Sequence, residues 1–135
     1  MGAKGEVTLH WREGMVFEGS ASGRPPVVVD ADSVTAISPV ELLLLAAASC
    51  TAADVVSIMS KQRAPVQSLD VAVRGTRREE EPRRFTAMHF RFTLGATGAT
   101  EVQARRAVDL SLQKYCSVVA SLAPDIRISY DLSLR

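Results

Sequence analysis

One stretch, from Ser38 to about Arg63, dictates most of what this chain can become. It opens Ser38-Pro39-Val40-Glu41: a serine to cap a helix, a proline at the first helical position where its missing N–H costs nothing, and a glutamate three residues after the cap to close a capping box. The helix is predicted to run to about Arg63, where Ala64-Pro65 halts it. Between Leu42 and Met59 its only charge is Asp54, so it is apolar nearly all round, and in a globular protein such a helix must be enclosed by other structure. Ala46, Ala47, Ala48, Ser49, Ala52 and Ala53 in its middle allow a neighbouring backbone to come close. At about 1.5 Å per residue, roughly 26 residues span near 39 Å, whereas a compact chain of this length is about 37 Å across. One chain barely encloses such a rod. The expectation is a second subunit, related by a two-fold axis, that covers part of it.

The segments on either side read as strands and one further helix. Val7, Leu9 and Trp11 alternate with Thr8 and His10, and Met15 and Phe17 alternate with Val16 and Glu18, with Arg12-Glu13-Gly14 as the turn of a hairpin. Val27-Val28-Val29 makes a third short strand after the loop Ser20 to Pro26. Beyond the long helix, Leu69 to Val73 and Met88 to Leu94 alternate as two strands joined across the charged segment Arg77 to Arg84, which is self-neutralising in sign. Thr100-Glu101-Val102-Gln103 is a second capping box, opening a helix whose apolar positions continue past Cys116 to Pro124. Ile126, Ile128, Tyr130, Leu132 and Leu134 form one face of a closing strand. Strands arriving in blocks predict an α+β fold with mainly antiparallel sheets around a long buried helix, in a single domain over residues 1–135.

Composition narrows the function. With 135 residues, 47% hydrophobic and 23% charged, the chain lacks the signature of intrinsic disorder. A net charge of +1 removes the electrostatic footprint of a general nucleic-acid binder and of a polybasic membrane anchor. Cys50 and Cys116 are too few for a secreted disulfide scaffold and lack the short paired spacing of a zinc site. His10 and His89 lie in alternating strands with no ligand spacing around them, so neither a metal nor a cofactor is expected. The start Met1 to Glu6 shows no apolar signal segment, and Glu6 stands where a myristoylation motif carries Ser or Thr, so a cytoplasmic location is expected. The run Leu42 to Ala53 ends at Asp54, short of the roughly 20 residues a membrane span needs.

Chemistry then rests on the thiols. Cys50 sits midway along the long helix, too far from its N-terminus for the helix dipole to stabilise a thiolate, and a buried cysteine is commonly a small packing residue. For Cys50 to be a nucleophile, its thiol must ionise more readily than a free one, which requires a cation or hydrogen-bond donor delivered from another segment. Arg12 is a candidate, projecting from its turn. Glu41 could orient that arginine while also serving its capping box. Cys116 is either a packing residue or a second thiol able to attack an oxidised Cys50.

Ser38 to Cys50 followed by Thr51 to Ile58 resembles the cysteine-bearing helix of the OsmC/Ohr family, the osmotically inducible and organic hydroperoxide resistance proteins. Lys114-Tyr115-Cys116-Ser117-Val118 resembles that family's second cysteine segment, and the strand order is similar over nearly the whole chain. The resemblance, which is to a small OsmC-like branch, implies an intertwined homodimer with two long central helices. It also implies thiol peroxidase chemistry on organic hydroperoxides: Cys50 peroxidatic, Cys116 resolving, Arg12 activating and Glu41 orienting. An external dithiol, a lipoyl protein or a thioredoxin-like protein, would reset the enzyme. Peroxidase members often carry an acid directly after the helix-start proline. Here Val40 stands there and Glu41 follows one residue later, about 100° further round the helix. Two other functions stay open on the residues alone: a non-enzymatic ligand-binding or scaffold dimer, and a protein disulfide-exchange partner.

Overall fold

The computed structural model describes Gly2 and residues 4–135. Met1 and Ala3, part of the start considered above for targeting, lie outside the described residues. The chain divides into two compact units, one ending at Leu43 and the other Leu44–Arg135.

The first unit is a three-stranded antiparallel sheet of β1 (Thr8–Glu13), β2 (Val16–Ser20) and β3 (Val27–Asp30), in that order. The predicted hairpin forms with Trp11 opposite Phe17, but its turn lies further on than Arg12-Glu13-Gly14. Gly14, with φ of 54°, and Met15 connect the strands, because only glycine enters that left-handed region without strain. Arg12 therefore belongs to β1, at a register shift between Trp11 and Glu13. Among the described residues nothing covers the alternating face of β1: Leu9 is 66% and Trp11 61% exposed.

Asp30 organises the connection to the first helix. Its carboxylate accepts hydrogen bonds from the backbone N–H groups of Asp32, Val34 and Thr35 and from the Thr35 hydroxyl. The Thr35 and Asp32 amides hold its carboxyl below the usual range. The predicted capping box follows, with the Ser38 N–H donating to Glu41 Oε1 at 3.0 Å and the Glu41 N–H to Ser38 Oγ at 3.2 Å.

The helix it opens, α1 (Pro39–Lys61), ends two residues earlier than the sequence predicted. Arg63 takes φ of 61°, the Arg63 N–H donates to the Ser60 carbonyl and the Ala64 N–H to that of Met59. That is the Schellman closure, which satisfies the last carbonyls before Pro65 is reached. By length and a mean hydropathy of 2.0 the 23-residue helix is apolar enough to cross a membrane, although the run to Asp54 alone looked too short. Its stripe of Ala47, Ala48, Thr51, Val55 and Met59 is instead buried in protein, as in a core helix. Other apolar positions stay open, Leu45 53% and Val56 46% exposed, so the described residues do not enclose α1 on every side.

In the second unit, β4 (Ser68–Arg77) and β5 (Phe85–Gly95) form the predicted antiparallel hairpin. The closing strand β6 (Arg127–Leu134) lies on the far side of β5 and runs parallel to it, a parallel pairing within sheets that are otherwise antiparallel, as the mainly antiparallel expectation allows. A parallel pair needs a crossover, and α2 (Glu101–Leu110) supplies it. Alternation had assigned β6 its faces, but it carries no information on strand direction. Met88, Phe90, Phe92 and Leu94 of β5, Ala104, Ala107 and Val108 of α2, and Val55 and Met59 of α1 form the buried core.

The helix predicted from Thr100-Glu101, with Cys116 at its far end and the apolar pattern continuing to Pro124, divides into three pieces. α2 starts with its capping box intact, the Gln103 N–H donating to Thr100 Oγ1 at 3.1 Å and the Thr100 N–H to Gln103 Oε1 at 3.0 Å. It then widens into a π-helical turn, Ser111–Tyr115. Cys116 is extended, with φ of −70° and ψ of 105°, and a short helix α3 (Ser117–Ala120) follows.

Candidate functional site

The π turn and the break place Cys116 against the middle of α1. Cys50 and Asp54 are one turn apart on α1 and share a face. The Cys50 and Cys116 sulfurs and an Asp54 carboxylate oxygen all lie within 4.8 Å of one another. Both thiols are free, Cys50 half-buried and Cys116 only 2% exposed. Two residues separated by most of the second unit thus have their sulfurs within 4.8 Å of each other.

Each group is held by neighbours. Cys116 caps α3, its sulfur accepting from the Val119 N–H at 3.4 Å, and its own N–H donates to the Ser111 carbonyl at 2.8 Å across the π turn. The Thr51 hydroxyl lies 2.8 Å from the Ala47 carbonyl and 3.5 Å from the Cys116 sulfur. Its one proton favours the shorter contact. Burial pushes the Cys116 thiol up, the Thr51 hydroxyl and the Val119 amide pull it partly back, and the neighbouring Cys50 raises it again. Cys116 therefore stays protonated to higher pH than a free cysteine. The buried Ser111 hydroxyl donates to Asp54 Oδ2 at 2.8 Å, tying the π turn to α1.

Two cavities of the second unit reach this cluster. Cys116 borders one of about 270 Å³ with Leu112, Val119, Leu122, Ile126 and Ile128 in its wall. Asp54 borders another, about 410 Å³, which Ile58, Lys61, Arg106, Leu110 and Tyr115 also line.

The remaining expected site residues belong to the first unit. Arg12 is half-exposed and its Nε lies 3.7 Å from Glu18 Oε2. Glu41 accepts from the Ser33 hydroxyl at 2.6 Å as well as from the Ser38 amide, and these bonds hold its carboxyl below the usual range. Arg12 and Glu41 are thus each paired elsewhere in that unit rather than with one another. His10 lies in the exposed strand β1, and His89 bonds Ser129 Oγ at 2.7 Å and Asp131 Oδ2 at 3.0 Å on an exposed sheet face.

Asp54, Thr51 and Ser111 were not among the expected site residues. Asp54 had a signal: it is the one charge in an apolar stretch, four residues after the candidate nucleophile. Nor did the cysteine spacing, which argued against a metal, anticipate three metal-ligating side chains at one point.

An α+β chain with two free thiols meeting beside a long central helix is a definite class of protein. The profile of the OsmC-like protein family matches residues 30–131, and the chain belongs to that family. It is 37% identical over 126 residues to Protein YhfA of Escherichia coli strain K12, covering 93% of this chain and 94% of that protein. The crystal structure of the OsmC-like protein from Mycoplasma pneumoniae has the same fold, with a TM-score of 0.86 at 15% identity and 99% of each chain covered. The organic hydroperoxide resistance protein OhrB of Bacillus subtilis is more distant, with a TM-score of 0.64 at 14% identity over 98% of each chain.

Proposed function

We propose that the protein is a cytoplasmic, homodimeric thiol peroxidase that reduces organic hydroperoxides, with residues 1–135 as one OsmC-like domain. The observation that carries this function is the approach of the two free sulfurs to within 4.8 Å. The Cys50 thiolate attacks the distal oxygen of the hydroperoxide, the O–O bond breaks, and the alkoxide leaves as the alcohol after taking up a proton. Cys50 is then a sulfenic acid. Cys116 condenses with it, forming the disulfide and releasing water, and an external dithiol, a lipoyl or thioredoxin-like protein, reduces the disulfide.

The order of the two thiols follows from their surroundings. Cys50 is half-buried, whereas Cys116 is enclosed and its thiol is pushed up, which suits the second step rather than the first. Arg12 and Glu41 complete the site as activating cation and its orienting acid. In support, the Arg12 guanidinium is half-exposed with one long ion pair, and Glu41 is held ionised at the start of the cysteine-bearing helix. The homodimer is supported by apolar surface the chain leaves open. Leu9, Trp11, Leu45 and Val56 are exposed, and an apolar groove of about 390 Å³ runs past Val7, Leu9, Pro25, Val27 and Leu42.

Incubation of the reduced protein with cumene hydroperoxide tests the function by mass spectrometry. Wild type is expected to lose two hydrogens within minutes as the Cys50–Cys116 disulfide forms, and Cys116→Ser to gain one oxygen at Cys50. Unchanged thiols in both proteins would overturn the peroxidase assignment.

A further inference from the structure

The charged group beside the two sulfurs is an acid. None of the ion pairs among the described residues involves Asp54, whose recorded partner is the neutral Ser111 hydroxyl. Ionising both thiols would set three negative charges within 4.8 Å. A divalent cation among them is the group that would most strongly stabilise that state. We propose that reduced Cys50 and Cys116, together with Asp54, bind a thiophilic divalent cation of the zinc type.

The distances suit it. Metal–sulfur bonds of about 2.3 Å and metal–oxygen bonds of about 2.1 Å in a tetrahedron set ligand atoms roughly 3.6–3.8 Å apart. Atoms already within 4.8 Å reach that spacing by small side-chain rotations. Two thiolates select zinc, cadmium or cobalt over magnesium and calcium, which take oxygen ligands. The supporting bonds of a metal centre are also present. Ser111 fixes Asp54 through Oδ2 and leaves the carboxylate's remaining lone pairs to coordinate, and the Val119 amide donates toward the Cys116 sulfur. Three protein ligands leave the fourth position to water, and the cavities bordered by Cys116 and by Asp54 offer routes for entry. Binding forms two metal–sulfur bonds and releases the two thiol protons. The metal-bound and disulfide forms exclude each other because they use the same sulfurs, whatever the oxidant.

The test is anaerobic titration of the reduced, metal-free, full-length protein with Co2+ and with Cd2+, followed by sulfur-to-metal charge-transfer absorbance. One ion per chain is expected, with two protons released and both thiols protected from iodoacetamide. Cys50→Ser, Cys116→Ser and the disulfide form should show no such band at stoichiometric metal. Asp54→Asn should bind at least about tenfold more weakly, and Asp54→Glu should recover part of the loss. Absence of the band and of thiol protection in wild type, or equal affinity of wild type and Asp54→Asn, would overturn the proposal. Neither result bears on hydroperoxide consumption, which is measured separately.

Discussion

The second unit carries two clusters of chemically capable side chains, and they differ in what surrounds them. Cys50, Asp54 and Cys116 meet between α1 and the π turn, where Cys116 is 2% exposed. Ser129, His89 and Asp131 line up on the outer face of the β4–β5–β6 sheet with hydrogen bonds of 2.7 and 3.0 Å, but the side chains of His89 and Asp131 are 37% and 77% exposed. By residue type the second has the serine, histidine and aspartate of a hydrolase triad. Water decides between them. Two unit charges 4 Å apart interact by about 1 kcal/mol in bulk water and about 4 kcal/mol at an effective dielectric near 20. An exposed His–Asp pair can neither hold its geometry rigidly nor stabilise a developing charge, whereas the enclosed Cys116 thiol and the half-buried Cys50 beside it feel their neighbouring dipoles more strongly.

Removing one member of each cluster should separate them most. Cys50→Ser is expected to abolish hydroperoxide consumption, a loss of at least about 100-fold set by the role of the nucleophile, while His89→Ala leaves it within about twofold. A coupled assay with a dithiol reductant measures both. Comparable losses would mean that enclosure is not the deciding difference.

A second contrast is in pH. The folded state keeps the Cys116 proton beyond the pH at which the unfolded chain releases it. Its contribution to stability is therefore complete below the unfolded thiol's pKa and lost as pH rises through the raised folded value. Chemical denaturation across the alkaline range should show stability falling with pH, and Cys116→Ala should flatten that fall. Replacing Asp131 by Asn on the open face should leave the alkaline slope unchanged.

The smallest differences are in stability near neutral pH. Ser111→Ala strips the half-buried Asp54 carboxylate of its hydrogen bond and should cost about 1–3 kcal/mol. Asp131→Asn breaks an exposed pair worth about 0–1 kcal/mol. Urea midpoints compare the two directly.

Much of the fold was legible because its signals are local. The capping boxes at Ser38 and Thr100 form as the sequence predicted, since each needs only residues three apart. Strand faces followed from alternation. The direction of β6 did not, because it depends on the path of α2 between the strands. The turn at Gly14 lay beyond the expected Arg12-Glu13-Gly14 because any residue type can occupy a strand end while only glycine suits φ of 54°. For the site, sequence nominated both thiols but could not say that they meet, since that depends on a widened helical turn for which the i+3/i+4 pattern has no mark. Asp54 was visible as an interruption of an apolar stretch, but only the position of Ser111 and Cys116 gives it a role.

The π turn has one more consequence. It accommodates one residue more than an α-helical path over the same rise, and an α-helix advances about 100° per residue. Deleting one residue from Ser111 to Tyr115 would thus restore an ordinary α-helical path over the same rise and remove the widened turn across which the Cys116 N–H donates to the Ser111 carbonyl. The Cys116 thiol thus stands at the end of a widened turn that residue composition alone does not dictate.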